Sequence, residues 1–401
     1  MVDVNSGSVR RRAQPLRVGI VGRGFAASVH ARAATVAGAR LVGIAATSAE
    51  SAVQGAAALR AGAAYPTAEA LVTAADVDVV HICTTNDLHA PLARLALETG
   101  KHVVCEKPLA LTPAETSPLV EAAARAGRVA AVPFVYRYYP MVREARERVR
   151  AGQLGQIVLV HGSYLQDWLL DAGSSNWRVD PARGGPSRAF ADIGSHWCDL
   201  LEFVVGERIV ELSATLDVTH PSRPSPNGAA KTFGASSRTT VAPEPVRTED
   251  AAAVTFRLKS GALGSLLVSQ AAAGHANHLV LEIAGTESSV AFDQQAPERL
   301  RLGRVGHETW VWRDPNLLSA AGARYARLPA GHAQGYQDCV DAFVGEVYAA
   351  VREGAVADGM PTFADGHRAA ELTAAVLRSH ADNGAWTTPA QPDGQVPLLT
   401  V

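Results

Sequence analysis

The sequence predicts an α/β protein of two domains, in which a doubly wound parallel sheet precedes an α/β domain with a large, mainly antiparallel open sheet. Its 401 residues exceed what one small domain needs, since a domain averages roughly 150 residues. Apolar, β-branched runs alternate with alanine-rich stretches up to about residue 136, and strand patterns joined by tight turns follow from about residue 156. We therefore place the first domain at 16–136 and the second at 137–385, with tails at 1–15 and 386–401.

Five buried strands are predicted in the first domain, because apolar and β-branched residues recur there in short runs. The strands cover residues 17–22, 40–46, 77–83, 102–107 and 129–136. Helices are predicted between them at residues 26–37, 49–61, 90–99 and 113–126. This alternation of strand and helix is typical of a parallel sheet with helices on both faces.

The second domain shows alternating strand patterns instead. They read IVLVHGSYLQD, IVELSATLDV, AAVTFRLKSGALGSLLVSQ, HLVLEIAGTESSVAFD and ERLRLG. Turn signals at Ser260-Gly261 and Gly285-Thr286 indicate hairpins, and hairpins join antiparallel strands. A helical stretch ending near Arg352 follows these strands.

Composition excludes several classes of protein. Hydrophobic residues make up 47% and charged residues 19% of the chain, which argues against wholesale disorder. The net charge of -2 offers no excess to bind nucleic acid. Four widely separated cysteines predict reduced thiols and a cytoplasmic protein. We expect no membrane segment and no signal peptide, because apolar stretches of the required length are lacking.

The first predicted strand runs into the segment GIVGRGFAASVHARAA, in which Gly22, Gly24 and Ala27 match the pattern G-x-G-x-x-G/A. The pattern follows a strand and precedes a helix, which is the context that a dinucleotide site requires. We expect Gly22 to form the tight turn, Gly24 to admit a pyrophosphate, and Ala27 to allow close packing of helix on strand. An ordinary strand-to-helix turn is the alternative explanation.

The end of the second strand bears on which nucleotide is bound. An acidic residue there would hold the 2'-hydroxyl of the NAD ribose, but this chain reads Ala46, Thr47 and Ser48. These small side chains leave room for a 2'-phosphate, and Arg23 beside the glycine turn offers it a positive charge. The sequence therefore favours NADP slightly over NAD, with a simply solvated Arg23 as the alternative.

Ligands of open α/β sheets bind beyond the carboxyl ends of the strands. This rule selects Thr84 to Asn86, Glu106 to Pro108, and Tyr136 to Arg137. Lys107 stands out, because only four of the 37 lysine and arginine residues are lysines. A lysine at a buried strand end suits a role for a compact ammonium whose pKa responds to burial, which arginine does not offer. A surface lysine that ends a strand is the alternative.

A second group of candidates lies in GGPSRAFADIGSHWCDLLEFVVGE, where Asp192, His196 and Asp199 precede an apolar helical run through Val205. Residues three or four apart lie on nearly the same face of a helix, so we expect these three side chains to cluster. The alternative is that Asp192 caps the helix and that His196 is a hydrogen-bonded core residue.

Three blocks of the sequence together resemble the glucose-fructose oxidoreductase, inositol dehydrogenase and rhizopine catabolism (Gfo/Idh/MocA) family. They are GIVGRGFAASVH, TTNDLHAPLARLALETGKHVVCEKPLALT and DIGSHWCDL, and the resemblance spans residues 16 to about 352. It implies a Rossmann domain, an α/β domain with a large open sheet, and NAD(P)-dependent oxidation or reduction of a sugar or cyclitol. It also implies that Lys107 is the lysine of the family's E-K-P motif, and that Asp192 and His196 belong to its D-x-G-x-H motif.

The chain departs from the family pattern at two places. Thr85 stands where the family usually has the proline of T-P-N, in the loop expected near the nicotinamide. Residues 188–190 are inserted between the Gly184-Gly185 pair and Asp192, where the family commonly has a compact glycine run. The insertion leaves the substrate specificity open.

The mechanism that the resemblance implies needs no metal ion, and the His-x-x-His formed by His275 and His278 lacks a third ligand nearby in sequence. The predicted catalytic residues are Lys107, His196 and Asp192. His196 would take the hydroxyl proton, Lys107 would stabilise the developing alkoxide, and Asp192 would orient the sugar or the imidazole. The predicted cofactor-binding residues are Gly22, Arg23, Gly24, Phe25, Ala27, Thr47, Ser48, Thr84, Asn86, His89, Glu106 and Lys107.

Aromatic and planar hydrogen-bonding groups concentrate in YRYYP, YLQDW and NWR, although the chain is only 6% aromatic. Flat rings against sugar faces, with amide and guanidinium groups reaching hydroxyls, suit a carbohydrate pocket, and core packing is the alternative use. The predicted substrate-binding residues are Tyr136, Gln166, Arg178, Asp192, His196 and His332.

Two other functions remain open at this stage. Some proteins of this fold use bound NAD for glycoside cleavage without net oxidation, and others bind dinucleotide as sensors without turnover. The presence of Lys107 and His196 favours the dehydrogenase. The resemblance also suggests a homodimer or homotetramer assembled through the open face of the second sheet, with a solvated face as the alternative.

Overall fold

The computed structural model describes residues 14–225 and 242–389. The predicted tails, 1–15 and 386–401, therefore lie largely outside the described residues. Within the described ranges, no helix is long and apolar enough to cross a membrane.

The first domain contains a six-stranded, wholly parallel sheet with the order β3-β2-β1-β4-β5-β6. Its strands are β1 Arg17–Val21, β2 Arg40–Ala45, β3 Ala63–Ala64, β4 Val79–Ile82, β5 His102–Cys105 and β6 Ala130–Ala131. The helices between them are α1 Phe25–Val36, α2 Ala49–Leu59, α3 Ala68–Val72, α4 His89–Glu98 and α5 Pro113–Ala126. This is the predicted doubly wound sheet, and its strand order reverses between β1 and β4, where ligands bind in such folds.

The strand prediction for 129–136 is wrong over most of its length. Only Ala130–Ala131 pair with β5, and Val135–Tyr138 form a 3-10 turn. Pro133 explains the early end, because proline has no N–H to donate to a neighbouring strand. This turn carries Tyr136 and Arg137, and it follows shortly after the carboxyl end of β6. The short elements β3 and α3 were not predicted.

The second domain is built on an eight-stranded sheet with the order β16-β15-β14-β13-β7-β12-β11-β8. All neighbouring strands are antiparallel except β12 and β7, which confirms the mainly antiparallel prediction. The strands are β7 Ile157–Leu165, β8 Ile209–Asp217, β11 Ala251–Leu258, β12 Leu263–Ser269, β13 His278–Gly285, β14 Ser289–Asp293, β15 Arg299–Arg304 and β16 His307–Trp312, and a separate pair comprises β9 Ser222–Pro224 and β10 Pro243–Pro245.

The helices of the second domain are α6 Pro140–Arg150, α7 Pro181–Gly184, α8 Ser195–Val205, α9 Ala320–Ala323, α10 Tyr336–Glu353 and α11 Phe363–Ala381. Of these, α6, α8 and α11 pack against strands of the sheet and cover one of its faces. Alternate residues of β11 and β12 are buried against these helices and exposed on the other side. The described chain thus leaves the second face of the large sheet open.

The two domains share a hydrophobic core. One contiguous cluster includes Val18 and Ile20 of β1, Trp197 of α8 and Phe256 of β11. Two late helices strengthen this connection, because α10 packs on α1 and α11 packs on α5. Since helices from the end of the chain pack on helices of the first domain, the boundary between 136 and 137 stays a prediction.

Candidate active site

The glycine turn lies between β1 and α1. Gly22 has φ +121°, and a Cβ atom there would stand 2.3 Å from the Cys83 carbonyl oxygen, so only glycine fits. Gly24 has open space where its Cβ would be, and it begins α1 without a side-chain cap. Ala27 lies in the first turn of α1 and is fully buried. An open cradle at an uncapped helix N-terminus fits a pyrophosphate.

The edge of β2, where the ribose would lie, carries small side chains. Thr47 is exposed, and the Ser48 hydroxyl accepts a hydrogen bond from the Ser51 amide as the cap of α2. Arg23 donates to Gln54 over 2.8 Å on the exposed surface. Gln54 in turn donates to Glu50, an acidic residue in the first turn of α2.

The loops after β4 and β5 are held together by buried polar groups. Asn86 donates to the Gly184 carbonyl over 2.8 Å and so joins the first domain to the second. His89 is 2.7 Å from the Pro108 carbonyl through Nδ1, and its buried Nε2 has no hydrogen-bond partner among the described residues. Burial lowers the pKa of His89. The Thr84 hydroxyl bonds to the Thr85 carbonyl in the same loop.

Lys107 and Asp192 meet across the two domains. The Lys107 ammonium lies 2.5 Å from Asp192 Oδ1 and 2.7 Å from the Asp192 carbonyl oxygen. Arg178 approaches the same Oδ1 to 3.4 Å, and Gln270 donates to Oδ2 over 2.8 Å. Burial favours the protonated carboxyl, but Lys107 and Arg178 outweigh it and hold the pKa of Asp192 well below its usual range.

His196 lies one turn beyond Asp192 on a continuous helical segment. The helix begins earlier than predicted, with a π-helical turn at Phe190–Gly194 that carries Asp192 and leads into α8. The imidazole packs against Tyr136 at 5.0 Å and meets Phe134 edge-on at 5.7 Å between ring centroids. Its Nδ1 is buried without a hydrogen-bond partner in the described structure. Burial, together with the Lys107 ammonium, lowers the pKa of His196 to about 3.

Asp199 does not join this cluster, so the expectation that all three helix residues meet is wrong. Its carboxylate pairs with Arg137 at 2.5 Å, and Arg137 also holds Asp365 of α11 at 2.7 Å. Asp199 is seven residues beyond Asp192, which places it about 10 Å further along the helix axis, where it meets the 3-10 turn that carries Arg137.

The predicted substrate residues form a wall beside the cluster. The hydroxyl groups of Tyr136 and Tyr164 are hydrogen-bonded, and Tyr164 donates to Asn277 over 2.8 Å. Gln166 also donates to Asn277 over 2.8 Å, while its oxygen accepts from the Trp168 indole. The polar ends of Tyr136 and Gln166 are therefore engaged with the protein itself.

Arg178 and His332 have different surroundings. The Arg178 guanidinium stacks over Trp177 at 4.4 Å and faces Asp192. His332 is exposed, and its hydrogen bonds are to backbone groups of residues 329 and 330 and, through its own carbonyl, to Arg313. The structure does not bring His332 to the cluster.

Three residues of the site were not selected from the sequence. Gln270 and Asn277 bond to Asp192 and to the Tyr164 and Gln166 pair, respectively. Tyr336, the first residue of α10, lies 6.3 Å from Phe25 and 6.4 Å from Tyr136 between ring centroids. The sequence signal that points to Gln270 is its position directly after the end of β12. The signal for Tyr336 is its position four residues after His332, which the sequence analysis selected.

A dinucleotide cradle that faces a buried ammonium, carboxylate and imidazole defines a class of protein, the nucleotide-dependent oxidoreductases. Residues 16–134 match the description "Oxidoreductase family, NAD-binding Rossmann fold", and residues 142–291 match "GFO/IDH/MocA C-terminal domain". The chain belongs to the Gfo/Idh/MocA family of oxidoreductases, and it is an NAD-binding enzyme.

Relatives support this assignment over most of the chain. Levoglucosan dehydrogenase of Pseudarthrobacter phenanthrenivorans is 32% identical over 387 residues, which cover 92% of this chain and 97% of that protein. D-glucoside 3-dehydrogenase of Escherichia coli is 32% identical over 198 residues, which cover 48% of this chain and 54% of that protein. A solved structure of levoglucosan dehydrogenase with NADH and L-sorbose superposes with a TM-score of 0.85 at 28% identity, covering 94% of this chain and 100% of that one.

The glycine turn yields a matched pair of variants. We expect Gly24→Ala to fold normally, because its methyl group enters open space, and to weaken NADH binding at least about tenfold, because the methyl fills the pyrophosphate cradle. Gly22→Ala should instead lower the thermal unfolding temperature, since it combines a clash with Cys83 and a strained φ. NADH fluorescence titration and thermal unfolding measure the two effects. Wild-type NADH affinity in Gly24→Ala would contradict the assigned cradle.

Proposed function

We propose that the protein transfers hydride between a nicotinamide cofactor and a secondary alcohol or ketone of a sugar, a sugar derivative or a cyclitol. The observation that carries the proposal is the cluster of Lys107, Asp192 and His196 at the carboxyl edge of the nucleotide-binding sheet. When bound, the nicotinamide supplies the hydride acceptor or donor. Gly22, Gly24 and Ala27 would hold its pyrophosphate.

Three side chains have distinct roles in this proposal. His196 takes the hydroxyl proton of the alcohol. Burial and the Lys107 ammonium lower the pKa of His196 to about 3, which keeps the imidazole unprotonated but makes it a weak base, so its proton uptake depends on the nearby Asp192 charge. Lys107 donates a hydrogen bond to the same oxygen and stabilises its developing negative charge. Asp192 holds the ammonium in place, and its negative charge favours the imidazolium that forms on His196. Reduction of a ketone uses the same groups in reverse.

The proposed substrate is a pyranose sugar or a ring of similar shape. The wall formed by Tyr136, Gln166 and Trp168 presents flat aromatic faces that match a sugar ring, while Asn277 and Trp168 hold the Gln166 amide in place. Relatives are named for levoglucosan, D-glucosides and inositol. The roles predicted for Arg178 and His332 remain proposals, and Arg178 has the stronger support because it faces Asp192.

The two alternative functions are a glycosidase and a sensor of the same fold. Both would bind nucleotide without net production of NADH or NADPH from a sugar. The buried pairing of Lys107 with Asp192 beside a neutral His196 supports the dehydrogenase, because alcohol oxidation needs a proton acceptor and alkoxide stabilisation together.

We also propose a homodimer or homotetramer assembled through the open face of the large sheet. Leu159, Leu263 and Leu267 are at least 40% exposed on that face. Leu159 and Leu263 are neighbours in the register of β7 and β12. An apolar patch on an uncovered sheet suits burial against a second copy.

All four cysteines are buried and unpaired, which supports the proposed cytoplasmic location. No nucleic acid or membrane partner is proposed.

The predicted preference for NADP over NAD rests on Arg23 and the small side chains at the edge of β2. Arg23→Gln is expected to lower kcat/KM with NADP⁺ about tenfold and to change kcat/KM with NAD⁺ little, because only the 2'-phosphate needs a cation. Steady-state kinetics with both nucleotides measure the two ratios. A wild type that prefers NAD⁺ and an unaltered ratio in the variant would show that Arg23 does not bind the 2'-phosphate.

The catalytic assignment is tested by removing the ammonium. We expect Lys107→Met to lower kcat for a sugar oxidised by the wild type by roughly 10² to 10⁴, because the developing alkoxide loses its cation. NADH or NADPH formation at 340 nm with levoglucosan, methyl glucosides and inositols measures the loss. Lys259→Met is the matched control, since Lys259 is exposed on the second domain. Near-wild-type turnover in Lys107→Met would remove Lys107 from the mechanism.

A further inference from the structure

Behind Lys107 lies a set of buried polar side chains that the mechanism above does not use. Glu106, the residue before Lys107, has one carboxylate oxygen 3.0 Å from His30 Nε2 of α1. Its other oxygen accepts a hydrogen bond from the Lys107 backbone amide over 3.1 Å. The Glu106 carboxylate is therefore fixed at both oxygens, and one of its two partners is Lys107 itself.

The hydrogen bonds continue from His30 into the core. His30 Nδ1 lies 2.8 Å from His81 Nδ1 of β4, and His81 Nε2 lies 2.9 Å from the Tyr348 hydroxyl of α10. None of His30, His81 and Tyr348 is more than 1% exposed. The chain of hydrogen bonds thus runs from the residue beside Lys107 to a helix near the end of the sequence.

The Glu106 carboxylate fixes the direction of the first hydrogen bond in this series. The bond to His30 and the nearby Lys107 ammonium outweigh burial and lower the pKa of Glu106 to about 2, so its carboxylate can only accept. His30 must then donate from Nε2. His30 Nδ1 and His81 Nδ1 share the next hydrogen bond, and His81 Nε2 pairs with the Tyr348 hydroxyl. Every side-chain nitrogen and oxygen atom of these four residues is thus hydrogen-bonded in the described structure.

We propose that His30 is a positioning residue for Lys107, acting through Glu106, and that His81 and Tyr348 hold the His30 ring in the orientation that donates to Glu106. This inference rests on the proposed function of Lys107. If the donor at His30 is lost, the Glu106 carboxylate loses the partner on its inner side and can rotate away from the Lys107 amide. Displacement of a reacting group by about 1 Å is enough to reduce a rate by about a hundredfold.

Packing alone does not account for this arrangement. Burying three polar side chains in the core of the first domain is costly unless each one is hydrogen-bonded, and apolar residues of similar size would avoid that cost. The helices α1 and α10 and the strand β4 supply one member each, and Glu106 directly follows β5. The residue at the end of this chain of bonds is Glu106, next to the proposed catalytic lysine.

Two substitutions at His30 separate its two nitrogens. The amide nitrogen of glutamine reaches the position of imidazole Nε2, whereas asparagine reaches only the position of Nδ1. His30→Gln therefore keeps the donor to Glu106, and His30→Asn keeps only the link to His81. We expect His30→Asn to lower kcat about tenfold to a hundredfold with little change in KM for the sugar, and His30→Gln to recover most of the loss. His307→Asn, on the exposed strand β16, is the control.

A second readout does not depend on turnover. The chain has only four lysines, so reductive methylation with ¹³C-formaldehyde gives few NMR signals, and Lys107→Arg assigns the one from Lys107. We expect its chemical shift to change in His30→Asn and to stay near the wild-type value in His30→Gln. Equal kcat values for the two variants with an unmoved Lys107 signal would overturn the inference. A wild type that oxidises no sugar would instead count against the proposed function, and the Lys107 signal would still decide whether His30 positions this lysine.

Discussion

The contact between the Lys107 ammonium and Asp192 is the interaction on which the site depends. Lys107 follows β5 of the nucleotide-binding sheet, whereas Asp192 lies in the π-helical turn of the second domain. Each domain supplies one charge, so the site exists only when the two domains are packed together. The shared hydrophobic core and the bond from Asn86 to Gly184 hold that geometry. Neither domain alone contains a complete site.

Charge balance explains how so many polar groups persist at this junction. Two cations, Lys107 and Arg178, flank one carboxylate, and Gln270 satisfies its second oxygen. Burying charges in this way is costly, and the cost is offset only when each charge is paired and hydrogen-bonded. Burial, together with the Lys107 ammonium, lowers the pKa of His196 and keeps its imidazole unprotonated, which is the state that a proton acceptor needs. Electrostatics and placement thus serve the same chemistry.

Much of this arrangement could be predicted from the sequence, because it depends on local patterns. The glycine turn, the lysine at the end of β5 and the spacing of Asp192 and His196 are each contained in a short segment. The alternation of strands and helices and the hairpin turns likewise gave the fold class. The roles assigned to these residues remain proposals.

Other features depend on contacts between distant parts of the chain, which a single sequence does not reveal. The turn of Asp199 toward Arg137 and Asp365 is set by helix packing around α8 and α11. Tyr336 reaches the site only because α10 packs on α1. The strand predicted at 129–136 ended early because Pro133 outweighed the apolar pattern around it.

The most direct test of the central claim is to follow the hydride itself. Levoglucosan deuterated at its ring carbons would be incubated with the enzyme and oxidised nicotinamide cofactor, and the reduced cofactor would be examined by mass spectrometry and NMR. Our account predicts one deuterium at C4 of the nicotinamide ring, formation of the ketone, and a slower rate with the deuterated sugar than with the protiated one. Nucleotide binding with neither deuterium transfer nor ketone formation, from levoglucosan or from deuterated glucosides and inositols, would contradict it.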